Sequence, residues 1–271
     1  MTIPAKQLKN GTMIPIVGLG TWELIGETCT NLVKLALDVG YRHIDTAQQY
    51  DNQECIKKAI EGFPREDLFI ASKLQWDFLE PQLVEENCDR ALKELGCEYL
   101  DLFNIHWPNK EKPLSKVVEK LLELKEKGKI KNVGTCNFTV HHLQDLLDDG
   151  LHVCQNQVEF HPYLCQNNLL EFCTKNEIAV TGYCPLAHGE VFTDPKLKRL
   201  SEKYNKPLSQ ICLRWLVQRG VIVIPKGDNK EQLQQNLQLF DFELSEEDVI
   251  NIQSYNRGHR IVAPPIHEFD Y

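Results

Sequence analysis

Ten cysteines contain no CxxC pair, and no apolar stretch in the 271 residues approaches the ~18 needed for a membrane span. A disulfide framework belongs to short secreted chains, so these thiols are expected to be small buried hydrophobes in a reducing compartment. The opening MTIPAKQLKNG has no apolar h-region, which points to the cytoplasm. There is no excess of positive charge. Thirty Lys and Arg stand against 39 Asp and Glu, a net charge of −9, and this excludes a nucleic-acid surface as the main business of the protein while leaving room for a local phosphate pocket. No low-complexity tract or Gly/Ser linker divides the chain, and one domain spanning 1–271 is expected.

What the sequence does contain is a repeated alternation. Short apolar runs rich in β-branched residues occur at 14–20, 41–45, 68–73, 99–106, 132–136, 153–159, 178–183 and 221–225. Their nearly continuous apolar character suits strands covered on both faces. Amphipathic segments lie between them. Leu32, Leu35, Ala36 and Val39 form a helical stripe stopped by Gly40. Pro81 opens a second helix, carrying Val84, Cys88, Ala91 and Leu95 and ended by Gly96. Ser115 is expected to cap a third, which Gly128 closes. Eight strands alternating with helices predict an α/β fold, a closed (β/α)₈ TIM barrel of parallel strands. Asn10-Gly11 predicts an N-terminal β-hairpin ahead of the first barrel strand.

In such a barrel, chemistry gathers where strands end. The runs end in or carry Asp45, Lys73, His106, Asn137, Gln157, Tyr183 and Lys226. One such residue is more often a loop cap than a catalyst, but seven at one mouth are hard to assign to capping alone. Lys73 ends the otherwise apolar LFIASK, so its ammonium needs an anion, which Asp45 on the adjacent strand can supply. Tyr50 follows five residues later. An adjacent ammonium is expected to lower its pKa and make it a better acid. His106 can orient a substrate oxygen. These residues predict an electrophilic site for a carbonyl. Trp22 and Trp107, directly after strand ends, are expected to wall the substrate pocket together with Tyr50 and His106, and Trp76 and Phe78 are candidates to join them.

Two other motifs compete. Gly18-Leu19-Gly20 begins a GxG after a strand, but Glu23 breaks the dinucleotide fingerprint. His43, Asp45 and His106 suggest a metal-dependent hydrolase on the same fold. No second paired-histidine motif supports it, however, and Lys73 would bring a cation into the metal site, so no metal is expected.

The segments GYRHIDTAQQY, ASKL, DLFNIHWP, GTCNF, NQVEFHPY, GYCPL and IPKG together resemble, in order and across nearly the whole chain, the signature of the aldo-keto reductases, in their compact microbial form. The resemblance implies NAD(P)H-dependent reduction of aldehydes or ketones by a catalytic tetrad of Asp45, Tyr50, Lys73 and His106, with Tyr50 as general acid. It implies a nicotinamide stacked on Tyr183, its carboxamide held by Asn137 and Gln157. Further cofactor contacts are implied at Gly20, Thr21, Trp22, Asp45, Pro185 and Leu186. An extra helix after strand eight would hold the adenosine end through Lys226, Gly227, Gln232, Gln235 and Asn236. The expected cofactor is NADP(H), the partner a small carbonyl compound, and the working form a monomer.

The sequence departs from this pattern at the adenosine end. Gly227 stands where the family commonly has Ser, Gln232 where it has Arg, and Asp228 adds a negative charge. Gln cannot reproduce the bidentate fork of Arg, and Lys230 compensates only in part, so use of NAD(H) is expected as well. Cys136 and Cys184 replace serines beside Asn137 and Tyr183, trading good hydrogen-bond partners for weak ones. Inert burial is the commoner fate for such thiols, a redox role the rarer one. The tail, residues 258–271, is expected to fold over the mouth.

Overall fold

The computed structural model describes residues 3–271. A hairpin comes first: β1 (Ala5–Gln7) pairs antiparallel with β2 (Met13–Pro15), Ala5 opposite Pro15. Gly11 makes the reversal possible, since its φ of 88° lies in the left-handed region. Ile14, read from the sequence as the start of the first barrel strand, therefore belongs to the hairpin. With Leu8 it packs against Phe69, Ala71, Leu102, Ala179 and Ile222.

Eight parallel strands follow: β3 (Leu19–Gly20), β4 (His43–Asp45), β5 (Phe69–Leu74), β6 (Leu102–Ile105), β7 (Val133–Cys136), β8 (Gln155–Glu159), β9 (Ala179–Tyr183) and β10 (Ile222–Val223). They are hydrogen-bonded in that order. A parallel bridge between Val17 and Val223 joins the first edge to the last, and the Gly18 N–H donates to the Val223 carbonyl at 2.8 Å. The glycines of the GLG motif serve this closure. A Cβ on Gly18 would lie 2.6 Å from His43 Nδ1, and one on Gly20 would lie 2.5 Å from the Ile224 carbonyl oxygen. Gly18 thus makes room for the His43 ring, and Gly20 permits close backbone approach at Ile224.

Helices α1 (Gly26–Val39), α2 (Gln53–Ile60), α3 (Pro81–Leu95), α4 (Leu114–Glu126), α5 (Val140–Asp148) and α6 (Asn167–Lys175) link successive strands. Two helices, α7 (Pro195–Tyr204) and α8 (Leu208–Gln218), lie between β9 and β10, and α9 (Lys230–Leu237) and α10 (Glu246–Gln253) follow β10. Gly40 and Gly96 end α1 and α3 at positive φ, and Pro81 opens α3, as their sequence signals predict. Ser115 does not cap α4. It lies inside the first turn, where its hydroxyl donates to Asp149, and the preceding Pro113 supplies the helix start. The apolar stripes of these helices and the outer faces of the strands form one continuous core. None of the described helices is long and apolar enough to cross a membrane.

Candidate active site

Inward-facing side chains at the strand ends bring the predicted residues together at the C-terminal mouth. Lys73, on β5, is fully buried. Its three N–H bonds are all engaged: Nζ donates to Asp45 Oδ1 at 2.6 Å, to the Thr46 carbonyl at 2.8 Å and to the Tyr50 hydroxyl at 3.3 Å. Tyr50 reaches this position because a short 3₁₀ turn, Gln48–Tyr50, carries it back over the barrel. Burial alone would depress the Lys73 pKa. The Asp45 carboxylate, then Tyr50, outweigh that and hold it above the ordinary lysine range.

The outcome for Tyr50 differs from the sequence expectation. Desolvation pushes its hydroxyl up to about 12, and the opposing pull of Lys73 only partly offsets this. Burial wins because Asp45 neutralises much of the ammonium's field. His106 lies with its ring centroid 5.7 Å from that of Tyr50. Burial, followed by the Lys73 charge, holds its pKa well below the ordinary value of 6.5, so the imidazole is neutral. Nδ1 is buried without a protein partner.

Two amides brace this cluster. Gln157 Nε2 donates to Asp45 Oδ2 at 2.7 Å. Asn137, at a φ of 65°, donates from Nδ2 to the His106 carbonyl at 2.9 Å and accepts from the Tyr183 hydroxyl at 2.8 Å. Thr21 Oγ1 donates to the Asp45 carbonyl at 2.9 Å. Cys136 is buried beside Lys73, and burial raises its thiol pKa. Burial pushes the half-buried Cys184 thiol up to about 12, so neither carries a thiolate near neutrality.

The mouth opens into a cleft of about 1180 Å³ that runs from Trp22, Tyr50, His106 and Trp107 past Asn137, Gln157 and Tyr183 to Lys226, Gln232, Gln235 and Asn236. Gly20, Thr21, Asp45, Pro185 and Leu186 also line it. Lys73 lies beneath the floor. Gly227 backs onto Leu233, whose Cδ2 is 3.0 Å from where a Cβ would be, and is not part of the lining. Trp76 and Phe78 are not part of it either; they pack against the core outside the barrel, with Arg90 over the Phe78 ring. His43 turns its Nδ1 to the Pro15 carbonyl at 3.0 Å and its ring to Phe69, so it is engaged by the hairpin. Sequence reading missed Glu23, Gln49 and His188, which line the cleft, and Glu159, which holds the tail. The only signal for these was their position within or just after strand ends.

The cleft is long, with aromatic side chains along it, two fixed amides and a lysine at its far end. A closed parallel barrel thus carries the Asp45–Lys73–Tyr50 cluster at the inner end of this cleft. The family model described as the Aldo/keto reductase family matches residues 16–257. The chain is 40% identical over 266 residues to a glyoxal reductase of Bacillus subtilis (strain 168), covering 96% of this chain and 95% of that one. It is 36% identical to a methylglyoxal reductase of Yersinia pestis, covering 97% and 96%. A crystal structure of a Bombyx mori aldo-keto reductase in complex with NADP superimposes with a TM-score of 0.91 at 33% identity, covering 97% and 96%. The chain belongs to the aldo-keto reductase family. It is an NAD(P)H-dependent oxidoreductase that reduces carbonyl compounds to alcohols.

Proposed function

We propose that Tyr50 is the general acid of this reduction, that Lys73 and Asp45 set its state, that His106 orients the substrate oxygen, and that small aldehydes and α-dicarbonyls such as glyoxal and methylglyoxal are the substrates. The observation that carries this reading is the Asp45–Lys73–Tyr50 chain of hydrogen bonds ending in the cleft. When bound, a reduced nicotinamide supplies the hydride that the carbonyl carbon accepts. The residues do the rest. Tyr50 is protonated at neutral pH, and its O–H transfers to the carbonyl oxygen as negative charge develops there, giving the alcohol. The resulting phenolate is stabilised by Lys73 Nζ and regains its proton from solvent. Neutral His106, whose Nδ1 is buried, offers Nε2 as the nitrogen that donates to the same oxygen in this reading. Asn137 and Gln157, positioned by Tyr183 and Asp45, are the amides to hold the carboxamide of the cofactor. Gly20, Thr21, Trp22, Pro185 and Leu186 flank that end of the cleft, with Gln235 and Asn236 at the other. In this reading the chain is a single-domain catalyst that works as a monomer.

NADH is used at least as well as NADPH in this reading. Lys226 Nζ, the main cation available to a 2′-phosphate, lies 3.7 Å from the Glu23 carboxylate. Gln232 Oε1 accepts from the Asp228 N–H at 2.9 Å, so its side chain is engaged within the helix start. Residue 227 has no hydroxyl to offer. The test is cofactor oxidation followed at the nicotinamide absorbance with both cofactors and a panel of aldehydes. Tyr50→Phe should lower kcat by about 10²–10⁴-fold, with cofactor affinity nearly unchanged. Normal turnover by that variant would refute the assignment of the acid.

A further inference from the structure

The tail that covers part of the mouth is held by a carboxylate with no part in the proposed proton transfer. Glu159 ends β8 and is fully buried. Its Oε1 accepts the Ile261 N–H at 2.8 Å and the His161 Nε2–H at 2.8 Å, and its Oε2 accepts the Val262 N–H at 2.9 Å. His161 Nδ1 accepts from the Tyr163 N–H at 3.3 Å, which assigns the ring proton to Nε2. Arg260 Nη1 lies 4.0 Å from Oε2. The same turn grips the tail again, since the Tyr163 carbonyl accepts from the Arg257 and His259 N–H groups at 3.1 and 3.0 Å.

A buried carboxylate is tolerated only when its lone pairs are filled, so these two amides are held to a single position. Burial alone would raise the Glu159 pKa. The His161 and backbone hydrogen bonds outweigh it and keep the carboxylate below its ordinary range. Ile261 and Val262, the residues whose amides are fixed, line the cleft, followed by Ala263 and Pro264. Among the described residues, no other charged side chain holds this stretch of the wall by its backbone.

We propose that Glu159 is a positioning residue for substrate selection. Its carboxylate fixes the 261–264 wall, so that carbonyl compounds whose apolar group reaches the wall depend on it for binding, while the smallest ones do not. The inference rests on the reading of the mouth given under Proposed function.

Full-length Glu159→Gln keeps the shape but turns an NH₂ donor toward an N–H, pushing the wall away. Its kinetics with methylglyoxal and with phenylglyoxal are compared with wild type, together with cofactor affinity by fluorescence and tryptic cleavage after Arg257 and Arg260. For phenylglyoxal, kcat/KM should fall about tenfold through KM, as expected for loss of one charge-assisted hydrogen-bond set. Methylglyoxal should lose less than about threefold, a difference under 1 kcal/mol. Cofactor affinity should hold, and cleavage at the tail should speed up. Glu159→Asp, which keeps the charge but draws it back by one methylene, should shift the same ratio by less, and it decides the matter if the Gln variant does not fold. An equal loss for both aldehydes alongside weaker cofactor binding, or no change in the ratio, overturns the proposal. If wild type binds cofactor but reduces neither aldehyde, the substrate reading has failed; the cleavage arm then tests the clamp alone, and unchanged cleavage overturns it.

Discussion

The Glu23 carboxylate stands 3.7 Å from Lys226 Nζ, joining the loop after β3 to the loop after β10. An acidic partner at this point competes with any phosphate for Lys226. Glu23→Gln should therefore raise kcat/KM with NADPH more than with NADH. The gain is expected to be modest, about twofold to fivefold, because both side chains are solvated. Gln232→Arg should add to it by restoring a forked donor. Steady-state kinetics with the two cofactors check both, and an unchanged preference in the double variant would sink the account of the altered clamp.

Removing the ammonium from the floor should be costly in two ways. Lys73→Met leaves the Asp45 carboxylate buried without its counter-ion, which typically costs about 3–5 kcal/mol of stability. It also leaves the Tyr50 phenolate unsupported, so kcat should fall even where the variant remains folded. Denaturant unfolding and single-turnover reduction measure the two separately. Asp45→Asn should cost stability on the same scale, since it leaves Lys73 buried without its counter-ion and offers one acceptor oxygen where Lys73 Nζ and Gln157 Nε2 need two.

The pH profile follows from burial. Tyr50 is raised to about 12, so its acid form persists upward through the ordinary tyrosine value of 10.0. His106 is held well below 6.5, so its neutral form persists down through that value. In the reduction direction kcat should thus be level from about pH 7 to about pH 9.5, with no inflection near an unperturbed histidine or tyrosine. A falling limb between 7 and 9 in chemistry-limited kcat would show that the acid titrates far lower than its surroundings dictate.

Closure of the barrel depends on the missing side chain of Gly20. Gly20→Ala would place a methyl 2.5 Å from the Ile224 carbonyl, a backbone atom that cannot step aside. A loss of about 3 kcal/mol is expected, the upper end for overpacking. Gly11→Ala, in the hairpin turn with open space around it, should cost less, the penalty arising from its positive φ alone. Thermal unfolding of the pair distinguishes steric closure from backbone strain.

Much of this architecture was legible in the residue order. Lys73 at the end of an apolar run demanded an anion, Asp45 ended the neighbouring run, and the structure joins them. The alternation of runs and stripes was enough to give eight parallel strands, because both signals are local. What could not be read depends on distant parts of the chain meeting. Glu159 looks like one more polar strand end until the tail, a hundred residues later, brings two amides to it. Ile14 has the same apolar character as Val17 and Leu19, and only the hairpin pairing separates it from the barrel. Trp76 follows a strand end just as Trp107 does, yet its 3₁₀ turn swings it to the outside. The Tyr50 pKa was misjudged because sequence shows a cation nearby but not the desolvation that outweighs it.

The hairpin packs Leu8 and Ile14 into the end of the barrel opposite the mouth, so the molecule has a working end and a supporting end. Substrate and product share the mouth as their doorway. A large product that lingers there blocks the next turnover, and release at the mouth becomes a natural bottleneck. The supporting end is free of that constraint. Its side chains answer only to packing, so substitutions there can adjust durability without touching what the enzyme recognises.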